Sequence, residues 1–264
     1  MRAARDGEAD RNQTPADHRA PFIVEPFTDT SHSVWEQREH VVVGVSPGNS
    51  YFSVALLTGL LGWLCEEFAQ VDVVIPDSAL EHTFLALGYD ERRAAKKTRG
   101  EINALRNRIV RAWESSGGPR KTDGLHRMSD LASNEIYGER LAECEQALGK
   151  DDALWETCAK MSRDVLAARG YDGPFTTERI ERAMRYLTAE LPFFLASAGI
   201  FGVESSLNFY HQPLPLAELI FADKSVLQVP PWQGYATIRP DPRGPGESDT
   251  DHLRAPGAGG EAVE

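Results

Sequence analysis

The sequence predicts an α/β fold with a parallel sheet flanked by helices, and three patterns carry that expectation. His40-Val41-Val42-Val43-Gly44-Val45 is a continuous β-branched run, which suits a strand buried on both faces. A second apolar run follows at residues 71–77, with a helical segment between the two. Strand, helix, strand at that distance is a right-handed βαβ unit with parallel strands. Third, Ile102, Leu105, Ile109 and Trp113 recur at steps of 3, 4 and 4, which is one apolar stripe of a helix.

The elements follow in order. The first strand spans 39–45 and stops at Ser46-Pro47-Gly48-Asn49. A helix over 50–70 is apolar on most faces, and the second strand closes with Pro76 and Asp77. The long helix covers 90–114 and ends at Ser115-Ser116-Gly117-Gly118-Pro119. Helices over 128–148 and 151–169 precede a break at 170–174. Thr176 or Thr177 caps a helix that runs to Glu190, and Pro192 limits it, because the residue before proline disfavours the α region. Residues 207–210 read as a strand, 214–221 as a short helix, and 226–229 as a last strand before Pro230-Pro231. Residues 1–21 and 240–264 are polar or rich in Pro and Gly, so they are expected to be disordered tails around one domain, 22–239.

Composition narrows the function. The 264 residues carry 28 Lys and Arg against 40 Asp and Glu, a net charge of −12, so any nucleic-acid role needs a local basic patch. Cys65, Cys144 and Cys158 form no CxxC, which argues against a disulfide scaffold or a cysteine zinc site. The apolar stretches 54–64 and 191–203 are interrupted and short of the roughly 18 residues a membrane span needs. The first 20 residues contain no apolar signal core. The expectation is a soluble cytoplasmic protein with no membrane partner.

Several groups could carry chemistry. Gly44-Val45-Ser46-Pro47-Gly48 reads as G-x-S-x-G. A serine at the carboxyl end of a parallel strand projects into the crevice where such sheets bind ligands. Gly44 would let a ligand approach, and free N–H groups at the start of the next helix would stabilise an anion. The motif serves equally as a plain strand-to-helix turn. A serine hydrolase reading conflicts with the early position of Ser46 and with the absence of a distinctive acid–histidine pair among His82, His126, His211 and His252. Arg92, Arg93, Lys96, Lys97, Arg99, Arg106, Arg108 and Arg111 face only Glu101 as an opposing charge. Like charges repel, so this helix favours a polyanion, and backbone recognition of folded RNA fits better than base reading or DNA. Tyr186 and Glu190, at i and i+4, share a helix face suited to holding an ammonium group or moving a proton, or form a plain surface pair. Asn208-Phe209-Tyr210-His211 sits at a strand end, where packing is the first explanation. Lys160-Met161-Ser162-Arg163 is similar to the phosphate-binding lysine loop of class I aminoacyl-tRNA synthetases, but it falls mid-helix and lacks a companion His-x-Gly-His.

Together these segments resemble the cyclodipeptide synthases. The resemblance runs from about residue 40 to 231. It is carried by Gly44 to Phe52, by Tyr186-x-x-x-Glu190 before Leu191-Pro192-Phe193, and by Asn208 to His211, in matching order and spacing. Asn49, Tyr210 and His211 resemble the branch of the family named for Asn-Tyr-His. The resemblance implies a single Rossmann-type domain similar to class I aminoacyl-tRNA synthetase catalytic domains. It implies an aminoacyltransferase that joins residues from two aminoacyl-tRNAs into a 2,5-diketopiperazine by a ping-pong mechanism, with an aminoacyl and then a dipeptidyl ester on Ser46. Tyr186 and Glu190 would hold the α-ammonium, Tyr210 would position the intermediate and relay protons, and His211 would support the site. Gly44 and Asn49 would line the nucleophile, and the basic helix would grip the tRNA. Neither ATP nor a metal cofactor is expected, since the substrate ester is already activated, and the family's usual state suggests a monomer. Val42 and Val74 are candidate walls of the first aminoacyl pocket, with core packing an equal explanation. A serine esterase or peptidase and a non-catalytic RNA-binding module remain the alternatives.

Overall fold

The computed structural model describes residues 21–117 and 124–242. Val24–Arg239 forms one compact unit, and residues 21–23 and 240–242 fall outside it. The expected tails at 1–21 and 240–264 fall almost wholly outside the described residues.

Six strands, β1 (Phe22–Pro26), β2 (His40–Gly44), β3 (Gln70–Ile75), β4 (Leu125–Arg127), β5 (Ser206–Tyr210) and β6 (Gln233–Pro240), form one sheet in the order β1-β6-β5-β2-β3-β4. The pairs β2/β3, β2/β5, β3/β4 and β5/β6 are parallel. From β2 the chain builds outward through β3 and β4 on one side and through β5 and β6 on the other. The order therefore reverses between β2 and β5, the place where open α/β sheets form a ligand crevice.

Eight helices cover the sheet: α1 (Asp29–Gln37), α2 (Val54–Glu67), α3 (Leu80–Ala86), α4 (Glu91–Ser115), α5 (Glu135–Leu148), α6 (Asp152–Ala168), α7 (Thr177–Phe201) and α8 (Pro215–Phe221). Strand side chains alternate between two cores. Val42 and Val74 belong to the core built with α5, α6, α7 and α8. Phe209, on the other face of β5, meets Trp35 of α1, which also packs on Trp63 and Phe68. On α4, Ile102, Leu105, Ile109 and Trp113 are all buried, as their spacing requires.

Several expected boundaries move. The helix expected over 50–70 begins at Val54, where the Ser53 side chain accepts from the Leu56 N–H. The helix expected over 128–148 is split: Met128–Ser133 is a 3₁₀ turn, and α5 starts after Asn134, which caps it. Pro192 does not end α7; the helix runs to Phe201 with a kink at Ala196. Beside the kink the Phe193 carbonyl accepts from Ser197 Oγ at 2.6 Å and Asn208 Nδ2 at 2.9 Å. The strand expected over 226–229 is a loop: Val226 is exposed and its N–H donates to Asp151. The sixth strand lies later, at β6, where Tyr235, Ala236 and Ile238 are buried.

Candidate active site

Ser46 lies two residues beyond β2 and Tyr210 ends β5, so the two central strands deliver both side chains to the switch point. Their oxygens are 2.7 Å apart. Close approach of the strands makes this possible. A Cβ on Gly44 would lie 3.1 Å from both the Phe209 carbonyl and the Tyr210 ring. Gly44 thus makes room for Tyr210. Ser46 does not sit at a helix start, since six residues of loop separate it from Ser53, the cap of α2. Asn49 organises that loop: its N–H donates to the Ser46 carbonyl and its Oδ1 accepts from the Tyr51 N–H.

A cavity of about 650 Å³ opens over this pair. Ser46, Asn49, Gly44, Tyr186, Glu190, Tyr210, Val42 and Val74 all line it. Val42 and Val74, candidates for packing or pocket, do both. Tyr186 and Glu190 descend from α7. Burial raises the Glu190 carboxyl to about 7, and the Tyr186 hydroxyl only partly offsets that rise. Burial, with the Glu190 charge beside it, drives the Tyr186 phenol well above its ordinary value. Burial lifts Tyr210 to about 12, while its bond to Ser46 pulls the other way. Tyr210 is therefore a neutral phenol across the physiological range, able to pass a proton without holding a charge.

His211 stands behind the cavity and does not line it. Its ring stacks on Tyr51 at 4.4 Å and meets Phe52 and Tyr210, so it supports the Ser46 loop from outside. Burial depresses its pKa. The hydroxyl partner of Ser46 is a tyrosine, so no serine–histidine–acid triad is assembled among the described residues. Seven of the eight α4 cations are exposed. Arg108 is the exception, donating to the Asn49 and Phe52 carbonyls. Sequence reasoning missed Arg169, Glu101, Met161 and Phe194, which also line the cavity. No local pattern marks them as cavity residues; they come from α4, α6 with its C-cap, and α7, and only folding gathers them. Among the described residues, no group of three or more His, Cys, Asp or Glu side chains is placed to hold a metal ion. No described helix is long and apolar enough to cross a membrane.

The cyclodipeptide synthase family model matches residues 22–240. The cyclo(L-tyrosyl-L-tyrosyl) synthase of Mycobacterium tuberculosis is 36% identical over 221 residues, 83% of this chain and 76% of that protein. The cyclo(L-leucyl-L-leucyl) synthase of Bacillus subtilis is 32% identical over 223 residues, 83% of this chain and 89% of that protein. Among solved structures, a cyclodipeptide synthase from Staphylococcus haemolyticus superposes with a TM-score of 0.77 at 26% identity, over 84% of this chain and 100% of that one. A Mycobacterium tuberculosis protein, whose structure relates cyclodipeptide synthetases to type I tRNA synthetases, superposes with a TM-score of 0.73 at 35% identity, over 84% and 94%.

Proposed function

The chain belongs to the cyclodipeptide synthase family of tRNA-dependent aminoacyltransferases, and on that premise we propose that it works by a ping-pong mechanism on Ser46. The observation that carries this reading is the Ser46–Tyr210 pair, 2.7 Å apart, at the mouth of a cavity that also holds Tyr186 and Glu190. Ser46 Oγ attacks the ester carbonyl of the first aminoacyl-tRNA. The ester bond to the ribose breaks and an aminoacyl ester forms on Ser46. The serine proton passes to Tyr210, whose own proton leaves with the ribose oxygen. A phenol raised to about 12 suits this relay, because it never needs to ionise.

Glu190 and Tyr186 receive the α-ammonium of the bound residue. A carboxyl near 7 pairs with the ammonium when ionised and takes its proton when the amine attacks. The freed amine attacks the second aminoacyl-tRNA ester, giving a dipeptidyl ester on Ser46 and a second free tRNA. Attack of the new terminal amine on that ester closes the diketopiperazine and restores the serine. Every carbonyl attacked is already an activated ester, so the chemistry calls on neither ATP nor a metal. Asn49 shapes the nucleophile loop, and with Tyr210 and His211 it supports placing the chain in the Asn-Tyr-His branch. The exposed cations of α4 grip the RNA. Val42, Val74, Met128, Met161 and Leu187 give the cavity an apolar wall that suits a large aromatic or aliphatic aminoacyl group. The relatives named above, which join tyrosyl or leucyl residues, fit that range.

Mass spectrometry of medium from bacteria expressing the chain tests the reading. The expected result is a new mass of two amino acids less two waters, lost in Ser46→Ala. Undiminished product from Ser46→Ala would overturn the covalent mechanism.

A further inference from the structure

Carbonyls of the loop that carries Ser46 accept from side chains outside the reacting set that lie on α4 or are joined to it. Arg169, which caps α6, donates through Nη1 and Nη2 to the two oxygens of Glu101, each at 3.0 Å. Its Nη2 also reaches the Pro47 carbonyl at 3.1 Å, and the guanidinium lies 5.3 Å from the Phe84 ring centre. Gly48 packs directly on this pair. With φ at +77°, it would put a Cβ 3.0 Å from Glu101 Oε2 and 3.2 Å from Arg169 Nη2. The second glycine of the G-x-S-x-G motif therefore seats the ion pair. Seven residues further along α4, on the same helix face, Arg108 Nη1 donates to the carbonyls of Asn49 at 3.2 Å and Phe52 at 3.0 Å.

This arrangement separates the charges of α4 by task. Glu101, the single acid among the cations of 92–111, turns to Arg169, and Arg108 turns to the loop. The remaining seven cations are exposed. Nη1 and Nη2 of Arg169 and the Nη1 of Arg108 donate to protein acceptors. Residues 46–53 have no regular secondary structure, so their carbonyls depend on such outside donors. We propose that Glu101, Arg169 and Arg108 are positioning residues for acyl transfer, a clasp that suspends the Ser46 loop from α4. The helix that grips the RNA and the loop that attacks its ester are thereby held in one register. The inference rests on Ser46 being the nucleophile.

The test uses the purified chain with tRNA charged with a labelled amino acid. Transfer of label to Ser46 is followed in a single turnover, beside tRNA affinity across salt and thermal melting. The variants are Glu101→Gln, Arg169→Lys and Arg108→Lys, the last two keeping the charge and losing the planar fork. Loss of register at a reacting atom should slow transfer about 10- to 100-fold in each. Affinity, its salt dependence and the melting curve should be unchanged. Glu101→Gln with Arg169→Lys should be no slower than the slower single variant, since both release one anchor, whereas adding Arg108→Lys should slow transfer further. Unchanged transfer rates overturn the clasp. Affinity losses that match the rate losses also overturn it, because they make these residues RNA contacts. Wild-type protein that forms product with no label on Ser46 overturns both the nucleophile reading and the clasp. Label on Ser46 with undiminished variants removes the clasp alone.

Discussion

The same three central strands end in two very different polar clusters. At their N-terminal ends, His40 of β2 bridges Asp72 of β3 at 2.9 Å and Ser206 of β5 at 2.8 Å. His126 of β4 and Gln70 add donors to Asp72, each at 2.7 Å. Asp72 is 2% exposed, yet these donors hold its carboxyl far below the usual range against the cost of burial. At the C-terminal ends, Ser46 and Tyr210 share one hydrogen bond, while burial leaves Glu190 raised and the tyrosines neutral. One end is saturated and packed; the other is under-satisfied and opens on a cavity. Both bury titratable groups. Where both carboxylate oxygens have donors, a buried charge locks the sheet, and where donors are withheld, the groups stay poised to exchange protons with a substrate.

Breaking the open end should cost activity and not stability. Tyr210→Phe keeps the ring against Gly44 and deletes the relay, so the rate of transfer to Ser46 should fall about 10²- to 10⁴-fold with an unchanged melting temperature. Stopped reactions with labelled aminoacyl-tRNA and a melting curve read the two effects. Breaking the saturated end should do the reverse. Asp72→Asn strands two histidines around a neutral amide and should cost about 3–5 kcal/mol of stability by denaturant unfolding. The per-molecule rate of the folded fraction should be retained. Because the folded Asp72 carboxyl lies below its unfolded value near 3.8, its stabilisation is present above that pH and is lost on acidification. The variant should lose that acid limb.

A smaller effect sharpens the division on α4. Reversing Arg92, Lys96 and Arg99 to Glu together should weaken tRNA binding and flatten its salt slope by about two to three, with little change in melting. Unchanged salt dependence would remove the RNA-grip assignment. The smallest effect concerns Glu190. Its folded pKa of about 7 lies above the ordinary 4.5, so the protonated form favours folding. That contribution is fully present below pH 4.5 and is lost as pH rises through 7. Glu190→Gln should therefore melt a few degrees higher than wild type at pH 8 and match it near pH 4.5. The wild-type acyl-transfer profile should rise through pH 7, a limb the variant lacks.

Much of the site was legible because its residues sit on strong local signals. Ser46 and Tyr210 close β-branched or aromatic strands, and Tyr186 and Glu190 occupy one face of a long helix. The α4 cations stand out as a stripe of one sign in an acidic chain. What was not legible had no local signal. β4 is three residues long, and β1, α1 and α3 lie in segments without a clear period. The Asp72 cluster joins residues from four strands, so no single stretch of chain announces it. Pro192 lies inside α7 all the same, and the kink falls later, at Ala196, where the Phe193 carbonyl is held by Ser197 and by Asn208 of the following strand.

The sequence by itself determined the α/β class, the order of the central elements and the family, and it singled out Ser46, Tyr186, Glu190 and Tyr210, which meet in one cavity. Period and composition are local, and burial reads them directly. Tertiary structure alone decided what the glycines are for: Gly44 admits the Tyr210 ring and Gly48 seats the Glu101–Arg169 pair. It also sorted eight cations of one helix into seven that are exposed and one that holds the Ser46 loop. It separated His211, which backs the site, from Tyr210, which enters it. These assignments depend on which distant carbonyl or ring stands within a few ångströms, a fact of packing between elements that no spacing along the chain encodes.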